Sequence, residues 1–178
     1  NGYNIMDSVQ VSIDTGVVYN CSKGIDLSNS DHINLTKLVI KNNSINGIKV
    51  NTCSNIVIDG LNVSNSGEDG IKILNGDENI QIMDTALVYN SGNGLNTESN
   101  GSSDIQSCTM SHNLISGIKT SGSGYHLIGG CVISDSGGSG IDLSNTCVVT
   151  GCLFFRNLSG INLKGVFECN IIGSLIKN

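Results

Sequence analysis

Two adjacent carboxylates stand directly before one of the glycines that recur along this chain. Glu68 and Asp69 precede Gly70, and Lys72 follows two residues after that glycine. Sugar-cleaving sites use paired carboxylates as general acid and base, or a carboxylate cluster that holds calcium beside a lysine or arginine base. One interpretation is a catalytic site in which Glu68 and Asp69 act as acid and base or bind calcium, while Lys72 anchors an acidic sugar. The other is a solvated Glu68–Lys72 ion pair on a turn, which stabilises little.

The three histidines offer no further catalytic or metal site. His32 and His112 each stand in a predicted turn and are expected at the polar surface. His126 takes a strand position that other repeats fill with isoleucine, so we expect a hydrogen-bonded residue of the core. Since the three do not fall at equivalent positions of the repeat, neither a triad nor a metal centre is predicted. No cofactor is expected, and calcium is the single cation considered.

Composition argues against several classes of function. The net charge is −6 with only nine lysines and arginines, so the basic stripe of a nucleic-acid-binding protein is missing. No apolar run approaches the length of a membrane span. The seven cysteines are odd in number and form no Cys-x-x-Cys pair, which fits neither a disulfide framework nor a zinc site. We expect free, buried thiols, as suits synthesis in a reducing compartment.

A repeat supplies the elements that must position these side chains. A glycine followed by an apolar, a polar and a third residue recurs at steps of 20 to 24 residues, at Gly2, Gly24, Gly47, Gly70, Gly94, Gly117, Gly140 and Gly160. A fixed period of this size is the signature of a solenoid. Proline is absent, and short runs of Ile, Val and Leu alternate with polar residues between Asn, Ser and Gly clusters, which predicts strands and turns. Each rung of about 23 residues should hold three short strands, for example 47–50, 55–60 and 61–64.

The alternation within the strands separates inward from outward positions. The first and third residues after each glycine form an inward ladder, Ile25/Leu27, Ile48/Val50, Ile71/Ile73, Leu95/Thr97, Ile118/Thr120, Ile141/Leu143 and Ile161/Leu163. A second inward ladder comprises Leu38/Ile40, Leu61/Val63, Cys108/Met110, Cys131/Ile133 and Cys152/Phe154. The buried hydroxyls of Thr97 and Thr120 need partners, for which backbone carbonyls are expected. The second residue after each glycine forms one outward column, Asn4, Asp26, Lys49, Lys72, Asn96, Lys119, Asp142 and Asn162.

Turn residues admit two interpretations. The asparagines of the turns suit left-handed backbone and can stack as amide ladders; they are Asn42, Asn43, Asn65, Asn90 and Asn113. Tyr19 and Tyr89 each precede such an asparagine. An exposed tyrosine can stack on a sugar, or it can act as a wedge that closes the turn.

The repeated unit Asn-Ser-x-x-x-Gly-Ile-x-Ile, as in residues 65–73, resembles the right-handed parallel β-helix of the pectin-lyase-like superfamily. That group contains pectate lyases, polygalacturonases, alginate epimerases and phage tailspikes. The resemblance covers essentially the whole chain and implies an all-β solenoid of about eight rungs. It further implies a substrate groove along one outward face, with Lys49, Asn96, Lys119 and Asp142 as substrate-binding residues.

The resemblance specifies the fold more closely than the activity. The polygalacturonase motifs Asn-Thr-Asp, Asp-Asp, Gly-His-Gly and Arg-Ile-Lys are missing, and Arg156, the sole arginine, has no aspartate cluster near it in sequence. Residues 1–178 are expected to be one domain, a segment of a longer protein without its caps. The predicted function is recognition of a polysaccharide, by a phage tailspike or an extracellular bacterial surface protein of the hydrolase or lyase type. The alternative is a non-catalytic shaft, trimerisation stem or adhesin stem, for which a homotrimer is expected.

Overall fold

Twenty-two strands and their connecting turns make up the protein in the computed structural model, which describes residues 2–75, 78–166 and 168–177. The strands are β1 Tyr3–Met6, β2 Val9–Tyr19, β3 Ile25–Ser28, β4 Asp31–Lys41, β5 Ile48–Asn51, β6 Ser54–Asp59, β7 Asn62–Ser64, β8 Ile71–Leu74, β9 Glu78–Met83, β10 Ala86–Val88, β11 Leu95–Glu98, β12 Ser103–Gln106, β13 Thr109–Ser111, β14 Ile118–Ser121, β15 His126–Gly129, β16 Val132–Ser134, β17 Ser139–Leu143, β18 Cys147–Thr150, β19 Leu153–Phe155, β20 Ser159–Leu163, β21 Cys169–Ile172 and β22 Leu175–Lys177. Among the described residues, no helix is long and apolar enough to span a membrane.

The strands that follow the repeated glycines form one parallel sheet, in the order β1-β3-β5-β8-β11-β14-β17-β20. Every neighbour in this sheet is the next turn of the chain, so the polypeptide winds as a solenoid of about seven turns, close to the predicted eight rungs. The pairing is in register with the repeat, because Ile48 pairs with Ile71 and Ile71 with Leu95. The prediction of an all-β parallel solenoid is confirmed.

The second and third strands of each rung belong to a fourteen-stranded sheet. From β6 onward the two strands are separate, as predicted. In the two earlier rungs they are continuous, because β2 and β4 each run for eleven residues, and β4 pairs with both β6 and β7. Thr15 and Lys37 nevertheless take a left-handed φ of 56° and 51° within these strands, so the corner of the solenoid is retained.

Both predicted inward ladders are buried in the core, as the alternation predicts. The second strands add a third buried ladder, which includes Ile33/Leu35, Ile56/Ile58 and Ile80/Ile82. The ladder after the glycines is closed to solvent from Ile25 to Leu143. It fails in the last rung, where Ile161 is only partly buried and Leu163 is 48% exposed. Thr120 is fully buried, and its hydroxyl donates to Asn145 Oδ1 at 2.6 Å. The partner of the Thr120 hydroxyl is thus a side-chain amide in the turn after β17, on the next rung, and not the expected backbone carbonyl.

Close approach between rungs explains why the repeat begins with glycine. A Cβ atom on Gly70 would lie 2.7 Å from the carbonyl oxygen of Gly94, and one on Gly94 would lie 2.7 Å from that of Gly117. Both distances fall inside van der Waals contact with backbone that cannot move aside. The column of glycines therefore lets neighbouring rungs pack at the corner that leads into the first sheet.

A ladder of buried side chains stabilises the turn before that corner. It runs four residues before most of the glycines and comprises Asn43, Ser66, Asn90, Asn113, Ser136 and Asn157. Asn113 Oδ1 accepts hydrogen bonds from the backbone N–H and the Nδ2 of Asn90, both at 3.1 Å, and its own Nδ2 donates to the Leu87 carbonyl at 2.9 Å. Amide stacking is thus found between Asn90 and Asn113, while serines take the position in two other rungs and Asn42 and Asn65 lie at the left-handed position before it. These side chains bind backbone groups that the turn would otherwise bury unpaired.

Candidate functional site

The outward column predicted beside the glycines lies on the outer face of the eight-stranded sheet. Consecutive members are Cα partners on neighbouring strands, as with Lys49 and Lys72, Lys72 and Asn96, or Lys119 and Asp142. The structure therefore brings the predicted substrate-binding residues onto a single face. Most are half-buried, while Asn96 is only 4% exposed because its neighbours enclose it.

The two adjacent carboxylates have different surroundings. Asp69 is buried, and its Oδ1 accepts hydrogen bonds from the Asn93 backbone N–H at 2.7 Å and from Asn93 Nδ2 at 2.8 Å. Its Oδ2 accepts from Asn96 Nδ2 at 2.9 Å. Glu68 is exposed, with Asn46 Nδ2 at 3.3 Å from its Oε2. Asp69 thus ties one rung to the next, whereas Glu68 keeps a carboxylate accessible to solvent.

Lys72 pairs with a residue that the sequence did not single out. Its Nζ lies 3.5 Å from Glu98 Oε1, so the predicted Glu68–Lys72 ion pair is replaced by Lys72–Glu98. Glu98 Oε1 also accepts from Asn96 Nδ2 at 3.1 Å. The reason is the register of the sheet, since Glu98 ends β11 on the strand next to Lys72, whereas Glu68 lies in the turn. Counting four residues on from Gly94 would have located Glu98.

Charges at the distal part of this face are also paired. Asp142 accepts from Asn162 Nδ2 at 2.9 Å and from Lys164 Nζ at 3.2 Å. Within the described ranges, no three His, Cys, Asp or Glu side chains are placed to hold a metal ion. The face therefore offers fixed amides and neutralised carboxylates alongside the ammonium groups of Lys49, Lys72 and Lys119.

The second sheet carries a groove on its outer side that the sequence did not predict. Its volume is about 570 Å³, and its polar lining includes His32, Asn55, Asn79, Gln81, Asp104 and Tyr125. These residues come from five successive rungs, from β4 to β15. At about 4.8 Å per strand the groove spans about 19 Å along the solenoid. Tyr125, 47% exposed, supplies an aromatic surface at one end.

Hydrogen bonds between rungs fix one wall of the groove. Asp31 Oδ1 accepts from Ser54 Oγ and from Asn55 Nδ2, each at 2.8 Å, and Asn79 Nδ2 donates to Asn55 Oδ1 at 3.1 Å. These donors, the Asn55 amide first, lower the pKa of Asp31 to about 2, so the carboxylate is ionised at neutral pH. His32 Nδ1 lies 2.7 Å from Asp31 Oδ2. The wall is therefore preorganised, with polar atoms held in a fixed row.

A further column of side chains occupies the left-handed position of the turn after the third strand. It comprises Asn20, Asn42, Asn65, Tyr89, His112, Asp135 and Arg156, all with φ between 51° and 58°. The rings of Tyr89 and His112 stack with centroids 4.6 Å apart. Arg156 binds Asp135 through both oxygens, at 2.5 and 2.9 Å, and this pairing lowers the pKa of Asp135 to about 2. Counting back five residues from most of the glycines would have found the column.

His126 confirms the prediction of a hydrogen-bonded core histidine. It is fully buried, and its Nδ1 lies 2.6 Å from Ser103 Oγ on the neighbouring strand. Burial lowers the pKa of His126 to about 4, so the ring is neutral at physiological pH. His32 and His112 are exposed as predicted.

Known proteins resemble this chain in its fold. Residues 23–176 match the family described as right handed beta helix region. Among curated protein sequences, none matches the chain. The fold is similar to that of the Azotobacter vinelandii mannuronan C-5 epimerase AlgE6 A-module, with a TM-score of 0.80 at 14% identity over all of this chain and 55% of the other.

Two further structures share the fold. The siphovirus 9NA tailspike receptor binding domain aligns with a TM-score of 0.63 at 10% identity, over 99% of this chain and 48% of its own. Pectate lyase Pel9A aligns with a TM-score of 0.60 at 15% identity, over 90% of this chain and 48% of its own. The chain spans about half the length of each of these proteins. Identities this low show a common fold.

Proposed function

Because the chain belongs to the family of right-handed β-helix regions, we propose that it is the carbohydrate-recognising part of a larger protein. The proposed setting is a phage tailspike or a polysaccharide-degrading protein of the bacterial surface. Three proteins of similar fold support this class of ligand: the mannuronan C-5 epimerase module, the pectate lyase and the tailspike receptor binding domain. The proposed partner is a polysaccharide.

The observation that carries the proposal is the groove on the second sheet. It is long and open, as a polymer requires, and it combines the amides of Asn79 and Gln81 with the carboxylate of Asp104 and the ring of Tyr125. Gln106 Nε2 donates to Asp104 Oδ1 at 2.7 Å, which holds that carboxylate in place. Fixed polar groups beside an aromatic face bind sugar hydroxyls and the apolar face of a sugar ring together.

Binding to soluble alginate, polygalacturonate and dextran tests the proposal. We expect at least one polymer to bind, and Tyr125→Ala to weaken that binding by about tenfold, equivalent to about 1.4 kcal/mol. Tyr19→Ala is the matched control, since Tyr19 is exposed to a similar extent (57% against 47%) but lies outside the groove. Equal affinities for the two variants, or no binding to any polymer, would refute the assignment of the groove.

For catalysis, the residues we propose are Glu68, Asp69 and Lys72, with Lys49, Asn96, Lys119 and Asp142 as substrate-binding residues on the same face. The accessible carboxylate of Glu68 and the half-buried ammonium of Lys72 support this proposal. Glu68→Gln should abolish any depolymerisation by the wild type while leaving the fold intact. A Glu68→Gln variant that shortens a polymer as fast as the wild type would remove Glu68 from the site.

A structural shaft is the second candidate, and one observation favours it. Leu114, Ile115 and Leu158 are 68%, 51% and 84% exposed in the turns that precede the first sheet. Apolar side chains grouped this way are typical of a surface that another subunit covers. Light scattering on the purified protein distinguishes the two, since a shaft should be a trimer that Leu158→Asp converts to monomer. A monomeric wild type would refute the shaft.

A further inference from the structure

Two cysteines meet in neighbouring rungs of the second sheet. Cys147 opens β18 and Cys169 opens β21, and the two residues are Cα partners on neighbouring parallel strands. Their Sγ atoms lie 2.8 Å apart, and both thiols are free. Neighbouring strands are about 4.8 Å apart, which is within the range of Cα separations that disulfides span.

The other stacked cysteines of the chain are arranged differently. Cys131 and Cys152 occupy the second inward ladder and are fully buried, and each directs its thiol to a backbone carbonyl, of Gly129 at 3.3 Å and of Thr150 at 3.4 Å. Their thiols also interact with one another and with that of Cys108, but all three are buried. Cys147 and Cys169 likewise direct their sulfurs toward each other, and they differ in that Cys169 is partly exposed. The Cys147–Cys169 pair therefore combines proximity with partial exposure of one thiol.

We propose that Cys147 and Cys169 are a redox modification site, which closes to a disulfide between adjacent rungs when the protein meets a small-molecule disulfide such as oxidised glutathione. This goes beyond the proposed carbohydrate recognition and does not depend on it. The reaction changes the linkage of the last rungs as the protein passes from a reducing to an oxidising environment.

The accessibility of the two sulfurs sets the order of the steps. The Cys169 thiolate attacks one sulfur of glutathione disulfide, forms a mixed disulfide and releases one glutathione. Burial raises the pKa of the Cys147 thiol to about 12, so Cys147 reacts second, when the mixed disulfide lies beside it. Its sulfur then displaces the second glutathione. In sum, two thiols and one glutathione disulfide give one protein disulfide and two glutathiones, which take up the two protons.

The product should fasten β21 to β18. The bond would close a loop of about 22 residues, and a cross-link of this kind restricts the unfolded chain. Local opening of the rung that contains β21 requires the two strands to part, which the bond prevents. Backbone amides of 169–172 should accordingly exchange with deuterium more slowly in the oxidised protein than in the reduced protein.

Thiol counting on the full chain tests the proposal. After incubation with oxidised glutathione and denaturation, the seven thiols should fall by two, to five, and peptide mapping should join the segments that contain Cys147 and Cys169. Cys169→Ser should abolish this loss. Cys131→Ser is the matched control and should still lose two thiols.

Three results would overturn the proposal. They are seven thiols after oxidation, a disulfide that maps to Cys131 and Cys152, and a protein that stops at a glutathione adduct on Cys169. Should Cys169→Ser fail to fold, the peptide map of the oxidised wild type decides alone, because it needs no variant.

Discussion

Replacing Asp69 by alanine should destabilise the protein strongly, while the same change at its neighbour Glu68 should not. Asp69 is buried and accepts three hydrogen bonds, at 2.7, 2.8 and 2.9 Å, from Asn93 and Asn96. The alanine variant would leave the Asn93 backbone N–H and two amide donors without an acceptor in the interior. Glu68 is exposed, and its one hydrogen bond, to Asn46, is long at 3.3 Å.

The magnitude follows from these contacts. A hydrogen bond to a charged group contributes about 1.5 to 3 kcal/mol, but the desolvation of the buried carboxylate offsets part of the sum of three. Each buried donor left without an acceptor costs about 1 to 3 kcal/mol, and for the three donors together we expect Asp69→Ala to lower the free energy of unfolding by about 3 to 5 kcal/mol. Asp69→Asn keeps the shape and one acceptor, so its cost should be about 1 to 3 kcal/mol. Glu68→Ala should stay within about 0.5 kcal/mol of the wild type.

Urea unfolding followed by circular dichroism measures these differences, with all four proteins at one concentration and pH. The difference between the two neighbouring alanine variants is the decisive quantity, because both remove one carboxylate and change the net charge equally. If Asp69→Ala and Glu68→Ala unfold at the same urea concentration, the buried carboxylate does not stabilise the rungs and the reasoning is wrong. The outcome also matters for catalysis, since it separates a loss of activity in Asp69→Ala that comes from unfolding from one that comes from the proposed catalytic role of Asp69.

Three further predictions rest on other parts of the solenoid. Asn113→Ala removes three buried hydrogen bonds and should lower the free energy of unfolding by about 2 to 4 kcal/mol in the same urea assay. The control Asn62→Ala, at an exposed position, should lower it by less than about 0.5 kcal/mol. Equal losses for the two variants would argue against the amide ladder. Gly94→Ala places a Cβ 2.7 Å from the next glycine's carbonyl oxygen and should yield little folded protein by circular dichroism, so a wild-type melting curve would refute the steric argument. Arg156→Ala should raise the pKa of Asp135 from about 2 toward 3.8 in an NMR titration. Because the pKa of Asp135 is lower in the folded protein, the Arg156–Asp135 pair stabilises the fold above about pH 3.8 and loses this effect as the pH falls toward 2. A pKa of Asp135 that is unchanged in Arg156→Ala would show that another group stabilises the carboxylate.

The fold was predictable because its determinants repeat within a single rung. The glycine at the corner, the alternation of inward Ile48 and Val50 with outward Lys49, and the asparagine of the turn each follow from local geometry. Parallel stacking then multiplies one rung into a solenoid. The exposed Leu163 marks where this reasoning ends, since an inward position is buried only when further rungs cover it.

The site was less predictable because its contacts join different rungs. The prediction placed Lys72 with Glu68, which is close in sequence, whereas the ion pair is with Glu98 on the adjacent strand. The Arg156–Asp135 pair joins residues 21 positions apart, which meet because both take the same left-handed position of the turn in neighbouring rungs. The groove combines side chains from five rungs, so no single local motif predicts it. Aligning every rung on its glycine would have recovered the columns but not the groove.

NMR mapping of a bound oligosaccharide tests recognition by the groove most directly. The titrant is an oligomer of whichever polymer binds among alginate, polygalacturonate and dextran. We expect the largest amide shifts at Asn79, Gln81, Asp104 and Tyr125, with smaller shifts at the proposed substrate-binding residues of the first sheet. Shifts confined to Lys49, Lys72 and Lys119 would move recognition to the first sheet, and an unperturbed spectrum with all three polymers would contradict carbohydrate recognition by this chain.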